Sequence, residues 1–335
     1  MAQLSSRFDE LKTLMAESSR VIVAGHPRAD GDSVGAVSAL RRHLEIEGKD
    51  VTALLMEPLS PRYAFMEFSR HYEVFDAARH GALLSSADVF IMCDIASFAR
   101  LGALGQAARA SRCRTVCVDH HPCEDDGPAD INLLDSTATA SGRIAWDYIR
   151  HVGGRVDREI AEGAFVSLST DSGWFRYANT DASVLALAAE LASHRLDLPG
   201  IYRTIYQSNS VPMLRLLGHV TRSLNEECEG AFVWAIIRDE LVRDLGVGRL
   251  DGDPILDVLR SAENVNVVAL FTEQPDRSVH VSLRSRGSPD VNRIARAFGG
   301  GGHAFAAGTV LEAESAERDV RRLVAAVRQS LRPDH

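Results

Sequence analysis

Asp119-His120-His121 closes the short apolar run Thr115–Val118, and other acidic or imidazole groups hold comparable places along the chain. His26, Asp30 and Asp32 follow Val21–Ala24, Asp94 follows Val89–Cys93, and Asp171 follows the apolar stretch Ile160–Leu168. A fold gains no stability from aiming so many carboxylates and imidazoles at one place. Desolvated like charges repel, and an unpaired buried charge is expensive. Bound cations resolve that conflict. Nitrogen and hard-oxygen donors without sulfur suit Mn²⁺ or Mg²⁺ better than structural zinc. Two such ions about 3.5–4 Å apart can activate a water and neutralise charge on a phosphoryl group. The pattern therefore predicts a two-metal phosphoesterase.

The elements between these groups predict how they meet. Val21–Ala24, Val51–Leu55, Val89–Cys93 and Thr115–Val118 read as short buried strands. Helical spacing runs through Val34, Val37, Leu40 and Leu44, and through Ser141–His151, Ile160–Leu168 and Val184–Leu191. Strands alternating with helices imply an α/β fold with a doubly wound, mostly parallel sheet, whose ligands collect at the carboxyl ends of the strands. A helical connector is expected over 196–228, with Ser208-Asn209-Ser210 as a break. It separates a catalytic domain at 1–195 from a smaller α/β domain at 229–335. The second domain is expected to carry strands at Ala231–Ile237, Val265–Phe271, Val279–Leu283 and Gly308–Leu311, then a helix over Ala316–Leu331.

At 335 residues the chain has room for two cores. A formal net charge of −9 argues against a sequence-independent binder of long nucleic acid, which needs a basic face. It leaves room for short nucleotides, whose charge bound divalent cations offset. The five cysteines form no C-x-x-C pair, so they read as buried or free thiols of a cytoplasmic protein. Met1–Ser19 is amphipathic without an uninterrupted apolar region, and no segment reaches the roughly 18 apolar residues of a membrane span.

Each motif also has an ordinary structural explanation. Asp32 or Ser33 could cap the helix after the first loop, Asp94 could be a turn former, and Asp171 could be another cap. Adjacent His120 and His121 point different ways in extended chain, so one can meet a metal and the other a substrate, with Asp119 fixing a tautomer. Gly299-Gly300-Gly301-Gly302-His303 lets a ligand approach backbone amides closely, and a helix starting after it would favour anions. Taken alone, such a run is more often a flexible loop. Arg284 and Arg286 alternate along one strand face, either as edge-strand charges or, for Arg284, as a clamp on a terminal phosphate. Arg176 fits a phosphate contact or an ion pair. Trp174, Phe175 and Tyr177 read first as packing, with one exposed ring able to meet a base.

His26-x3-Asp30-x-Asp32 with Gly35, Asp94, Asp119-His120-His121-Pro122, Thr170-Asp171-Ser172-Gly173-Trp174-Phe175-Arg176, Asn179-Thr180 and Gly299–His303 resemble, in this order, a DHH-family phosphoesterase with a DHH-associated C-terminal domain. The resemblance is greatest to the oligoribonuclease (nanoRNase) and 3′-phosphoadenosine-5′-phosphate phosphatase branch. It implies that His26, Asp30 and Asp94 hold one Mn²⁺, and that Asp32, Asp94, His120 and Asp171 hold a second. His121 is then the catalytic group near the scissile phosphate, with Asp119 behind it. Arg284, Gly300, Gly301, Gly302, His303 and Arg176 become substrate contacts in a cleft between the domains. Short RNA or nucleotide phosphates are the expected partners, with no long duplex and no membrane, and a homodimer through the first domain is plausible. A cyclic-dinucleotide phosphodiesterase is the nearest alternative, and a non-catalytic nucleotide sensor is disfavoured because no ligand is lost.

Overall fold

The computed structural model describes residues 2–123, 127–248, 250 and 252–331. The chain separates into two units, Met1–Gln207 and Ser208–His335.

In the first unit, helix α1 (Ala2–Glu17) leads into β1 (Arg20–Ala24), α2 (Gly31–Ile46) and β2 (Asp50–Leu55). A 3-10 turn at Pro61–Tyr63 and β3 (Glu73–Val74) precede α3 (Ala77–Ser86), β4 (Val89–Cys93), α4 (Gly102–Ala110), β5 (Arg114–Asp119) and β6 (Ile131–Leu134). The unit ends with α5 (Ser141–His151), α6 (Arg158–Asp171), α7 (Ala182–Ala192) and α8 (Leu198–Tyr206). All strands are parallel, in the order β3-β2-β1-β4-β5-β6. Burial on both faces explains why the central strands read as continuous apolar runs. Val21, Val23, Ile91 and Val118 face one core with α2, α5 and α6. Ile22, Phe90, Met92 and Cys117 face another with α3 and α4.

This strand order reverses direction between β1 and β4, and open α/β sheets bind ligands in the crevice at such a switch point. The loops after those two strands carry His26 and Asp94. Helices α2 and α6 cross at van der Waals distance above the sheet. A Cβ on Gly35 would lie 2.3 Å from the Gly163 carbonyl, so only glycine permits the approach. The crossing brings the start of α2, with Asp32, against Ser167 near the end of α6.

The second unit contains α9 (Val211–Arg222), β7 (Asn225–Glu227), β8 (Phe232–Ile237), α10 (Asp239–Asp244), α11 (Asp253–Arg260), β9 (Val267–Glu273) and β10 (Val279–Ser285). It continues through α12 (Val291–Arg296), β11 (Gly301–His303), β12 (Ala306–Leu311) and α13 (Ala316–Ser330). Its mixed sheet has the order β11-β12-β10-β9-β8-β7. One face packs Phe232, Phe271, Val281 and Leu283 against α12 and α13. Val233, Ala235, Val268 and Leu270, on the other face, meet α9 and α11. The glycine run is not the loop its composition suggests: Gly301–His303 is the edge strand β11, paired with β12. Nor does a helix start after it, since α12 precedes the run.

Candidate metal centre

The acids and imidazoles of the first unit converge on the carboxyl-end rim of its sheet. Asp30 caps α2 by accepting from Ser33 N (3.1 Å), so the cap is Asp30 and neither Asp32 nor Ser33. Asp32, inside the first turn, is 2 % exposed. It accepts from Ser141 N (2.8 Å) and Gly142 N (3.1 Å) at the start of α5, and from Ser167 Oγ. A helix N-terminus thus holds this carboxylate.

Asp94 is turned into the left-handed region (φ 60°) just beyond β4, where its N–H donates to Val118 O. Few non-glycine residues adopt that conformation, and it aims a buried carboxylate between two groups of ligands. Asp94 Oδ2 lies 3.5 Å from His26 Nε2, which is 3.6 Å from Asp30 Oδ1. Asp94 Oδ1 lies 3.9 Å from His120 Nε2, which is 3.4 Å from Asp32 Oδ2 and 3.6 Å from Asp171 Oδ2. The structure therefore gathers His26, Asp30 and Asp94 on one side, and Asp32, His120 and Asp171 on the other.

These separations exceed hydrogen-bond length, and they fit ligand atoms placed about 2.1 Å from a shared cation. The electrostatics agree. Burial pushes the Asp94 carboxyl well above the usual carboxylate range, reinforced by repulsion from Asp32, Asp30, Asp119 and Asp171. Asp171, the last residue of α6, is raised for the same reasons, burial first and then Asp32 and Asp30. Asp119 Oδ2 is buried with no hydrogen-bond partner among the described residues. Unrelieved acids of this kind, beside imidazoles and with no thiolate, are a donor set for divalent cations.

The imidazoles differ in readiness. His120 Nδ1 faces the Ala138 carbonyl at 3.2 Å, which holds the proton on Nδ1 and leaves Nε2 as a lone pair toward the acids. His26 Nδ1 instead accepts from Arg28 N at 3.1 Å, which places the proton on Nε2. His121 is held otherwise. Its Nδ1 is 2.7 Å from Asp119 Oδ1, and its N–H donates to the same oxygen at 3.1 Å. Burial opposes the charge on Asp119, but these bonds and the nearby imidazoles outweigh it and hold the carboxyl below its usual range. Asp119 is thus bonded to an imidazole at hydrogen-bond distance, as Asp94 and Asp171 are not.

Arg176 donates Nε–H to the Gly173 carbonyl (2.7 Å) and sits over the Tyr177 ring. In the second unit, β10 residues His280, Ser282 and Arg284 pair with Val310, Gly308 and Ala306 of β12, and the last two pair with Gly301 and His303. Strand alternation therefore places Arg284 and His303 on one sheet face, with Ala306 and Gly308 of β12 as a low floor between β10 and β11. Ser282 and His280 share that face. The alternation His280-x-Ser282-x-Arg284 was the available signal for both. Arg286 instead donates to the Arg260 and Glu263 carbonyls, a structural use of the guanidinium. Gly300 and Gly302 are demanded by packing, since a Cβ would meet Gly308 O at 2.1 Å and Ala306 O at 2.5 Å. Gly301 is not, its nearest neighbour being Asn292 Oδ1 at 4.0 Å.

Residues 20–167 match the DHH family, N-terminal domain, and residues 242–332 match the DHHA1 domain, together well over half of the chain. The chain belongs to the DHH family and is a metal-dependent phosphoesterase, a hydrolase of phosphoester bonds. Among similar proteins is the bifunctional oligoribonuclease and PAP phosphatase NrnA of Thermus thermophilus, 28% identical over 320 residues, or 96% of this chain and 93% of that one. An exopolyphosphatase-related protein from Bacteroides fragilis shares the fold with a TM-score of 0.89 at 22% identity, over 97% of both chains. RecJ of Thermus thermophilus, solved with Mn²⁺, aligns with a TM-score of 0.55 at 14% identity, over 99% of this chain and 55% of RecJ. Among the described residues no helix is long and apolar enough to cross a membrane.

Proposed function

We propose that this phosphoesterase hydrolyses oligoribonucleotides of a few residues to mononucleotides, and 3′-phosphoadenosine 5′-phosphate to AMP, with two Mn²⁺ ions and Mg²⁺ as the alternative. The observation that carries the two-ion reading is Asp94, whose two oxygens face separate ligand groups, His26 with Asp30 and His120 with Asp32 and Asp171. The names of the similar proteins support the substrates. When bound, the ions would lower the pKa of an attacking water and neutralise charge on the phosphoryl group.

The protein's own part is positioning. His26, Asp30 and Asp94 would hold one ion, and Asp32, Asp94, His120 and Asp171 the other. Asp119 fixes the His121 ring through Nδ1, so that Nε2 is the atom that contacts the scissile phosphate or gives a proton to the leaving oxygen. In the second unit Arg284, Gly300, Gly301, Gly302 and His303 are candidate substrate contacts, Arg284 as a fork on a phosphate; Arg176, in the first unit, is a further candidate contact.

The test compares linear di- to pentaribonucleotides, 3′-phosphoadenosine 5′-phosphate, a cyclic dinucleotide and pyrophosphate at equal Mn²⁺. Dinucleotide and 3′-phosphoadenosine 5′-phosphate are expected to turn over fastest, and an Asp94→Ala/His120→Ala variant is expected to be inactive on both. Faster turnover of the cyclic dinucleotide or of pyrophosphate would displace the substrate assignment. Substantial activity in the double variant would remove the mechanism.

A further inference from the structure

A hollow of about 480 Å³, within the first unit, is lined by Trp174, Leu198, Pro199 and Tyr202. The hollow is shallow and open to solvent, so a flat ring could lie on it but would not be enclosed by it. None of the four side chains is charged, so the hollow is not built for a phosphate. Trp174 and Tyr202 pack on each other with ring centroids 5.0 Å apart and planes at 57°, so a ligand could stack only on their outward faces. Both rings are only half-buried, and Pro199 is exposed.

The walls are braced from behind. Phe165, in the core of the first unit, meets Trp174 edge-on at 5.7 Å, and Tyr206 lies 5.3 Å from Tyr202. Gly173, Trp174 and Phe175 all take the left-handed conformation (φ 58°, 58° and 64°), a turn that returns Trp174 against α6. The rings are thus held in place while part of their surface stays open to the hollow.

Its position ties it to the acid–imidazole cluster. Trp174 follows Asp171 by three residues. Helix α8, which supplies Leu198, Pro199 and Tyr202, packs on the 3-10 turn Pro61–Tyr63. That turn follows β2 in the chain, as His26 follows β1 and Asp94 follows β4. A phosphoester aligned on charged groups leaves the planar, weakly polar rings of a nucleotide to find another surface.

We propose that this hollow is a nucleobase subsite, which stacks a base of the nucleotide whose phosphoester lies at the acid–imidazole cluster. The assignment rests on the nucleotide substrate proposed for that cluster. Stacking on aromatic faces accepts any base, because every base has a π-face. The subsite therefore confers preference for nucleotides over other phosphoesters without selecting among sequences.

The test is a binding measurement on the full chain with Mg²⁺ present, titrating AMP and ribose 5-phosphate and following tryptophan emission and calorimetric heat. AMP is expected to bind more tightly than ribose 5-phosphate and to quench emission saturably. Tyr202→Ala is expected to weaken AMP about ten-fold, in keeping with the loss of one stacking face, while leaving ribose 5-phosphate unchanged. Tyr202→Phe should restore AMP binding. Pro199→Glu, at an exposed position, supplies a second variant that does not disturb the core and should weaken AMP selectively. Equal affinity for the two ligands, or equal loss of both in the variants, would overturn the subsite. So would emission that tracks protein concentration instead of nucleotide, which would mark the hollow as a contact between copies. If no oligonucleotide is hydrolysed yet AMP still binds selectively, the substrate assignment fails and the subsite stands.

Discussion

The rim of the first unit and the glycine strand of the second are both candidate ligand sites, and they are built in opposite ways. On the rim the backbone is well satisfied and the side chains conflict: Asp94 and Asp171 are raised by burial and by the carboxylates around them. At Gly300 and in β11 the side chains are few and the backbone is crowded, with Gly300 and Gly302 admitting carbonyls where a Cβ would collide. Conflict among titratable groups points outward, to something that would relieve it. Crowded glycines are explained by the protein itself. The rim is therefore strong grounds for a ligand, and the glycine run is weaker grounds until its packing requirement is subtracted.

The largest expected effect breaks the rim. Asp94→Asn keeps a residue type that tolerates φ near 60°, so the backbone survives. Several kcal/mol of transition-state stabilisation, at about 1.4 kcal/mol per tenfold, predicts a fall in kcat/KM of about a thousand-fold or more. The same change removes a buried charge, so the metal-free protein should melt at a higher temperature than wild type. Dinucleotide hydrolysis and melting in chelator measure the two arms. Activity within about tenfold of wild type would mean that Asp94 does not organise the centre.

Metal removal comes next, and its pH dependence has a definite sign. Asp94 and Asp171 have folded-state pKa values raised above their unfolded ones. Their contribution to stability is therefore complete below the unfolded value of about 3.9 and is lost as pH rises through the folded values. The metal-free protein should lose stability from this source between acidic and neutral pH. A Mn²⁺ concentration about 100 times its Kd at about pH 8 adds about 2.7 kcal/mol per site, and the same concentration adds less at about pH 5, where protonation of the ligands raises Kd. Melting curves with chelator and with Mn²⁺ at the two pH values check this; a metal-induced gain larger at the acidic pH would contradict the relief of acid repulsion.

Asp119 sharpens the contrast within the rim itself, since its carboxyl is lowered by the bond to His121 while Asp94 and Asp171 are raised. Asp119→Asn should leave Mn²⁺ affinity close to wild type and reduce kcat by about 10–100-fold, as expected when a residue that orients an imidazole is altered. A loss of metal affinity comparable to that of Asp94→Asn would instead make Asp119 a ligand.

The rim is legible in sequence because short apolar runs mark where strands end, and a parallel sheet gathers the residues beyond those ends on one edge. The run Val89–Cys93 coincides with β4, and Val21–Ala24 and Val51–Leu55 each fall one residue short at the start of β1 and β2. The short edge strands Glu73–Val74 and Ile131–Leu134 escape the pattern, having too few residues for a period to show. Strand β11 is hidden for a different reason. Glycines carry no hydrophobic pattern, and pairing with Ala306–Gly308, which is tertiary, is the interaction that makes them a strand. Asp32 looks like a cap from its place before an apolar helix. It is the start of α5, 109 residues away, that claims its carboxylate.

The smallest effects separate the two explanations of the glycine run. At Gly302 the backbone has φ 141° and a Cβ would lie 2.5 Å from the Ala306 carbonyl, so Gly302→Ala forces both strain and strand separation. About 1–3 kcal/mol of destabilisation is expected, with any loss of activity in proportion to the loss of folded protein. At Gly301 nothing approaches closer than 4.0 Å, so Gly301→Ala should be within about 0.5 kcal/mol of wild type in stability. If the β11 edge is a substrate surface, the added methyl at Gly301 raises KM for a dinucleotide severalfold without changing kcat, the pattern of lost uniform binding. An unchanged KM in a stably folded Gly301→Ala would leave the glycine run explained by packing alone. The second unit's share in binding would then fall to Arg284 and His303, whose places on one sheet face do not require a glycine at 301.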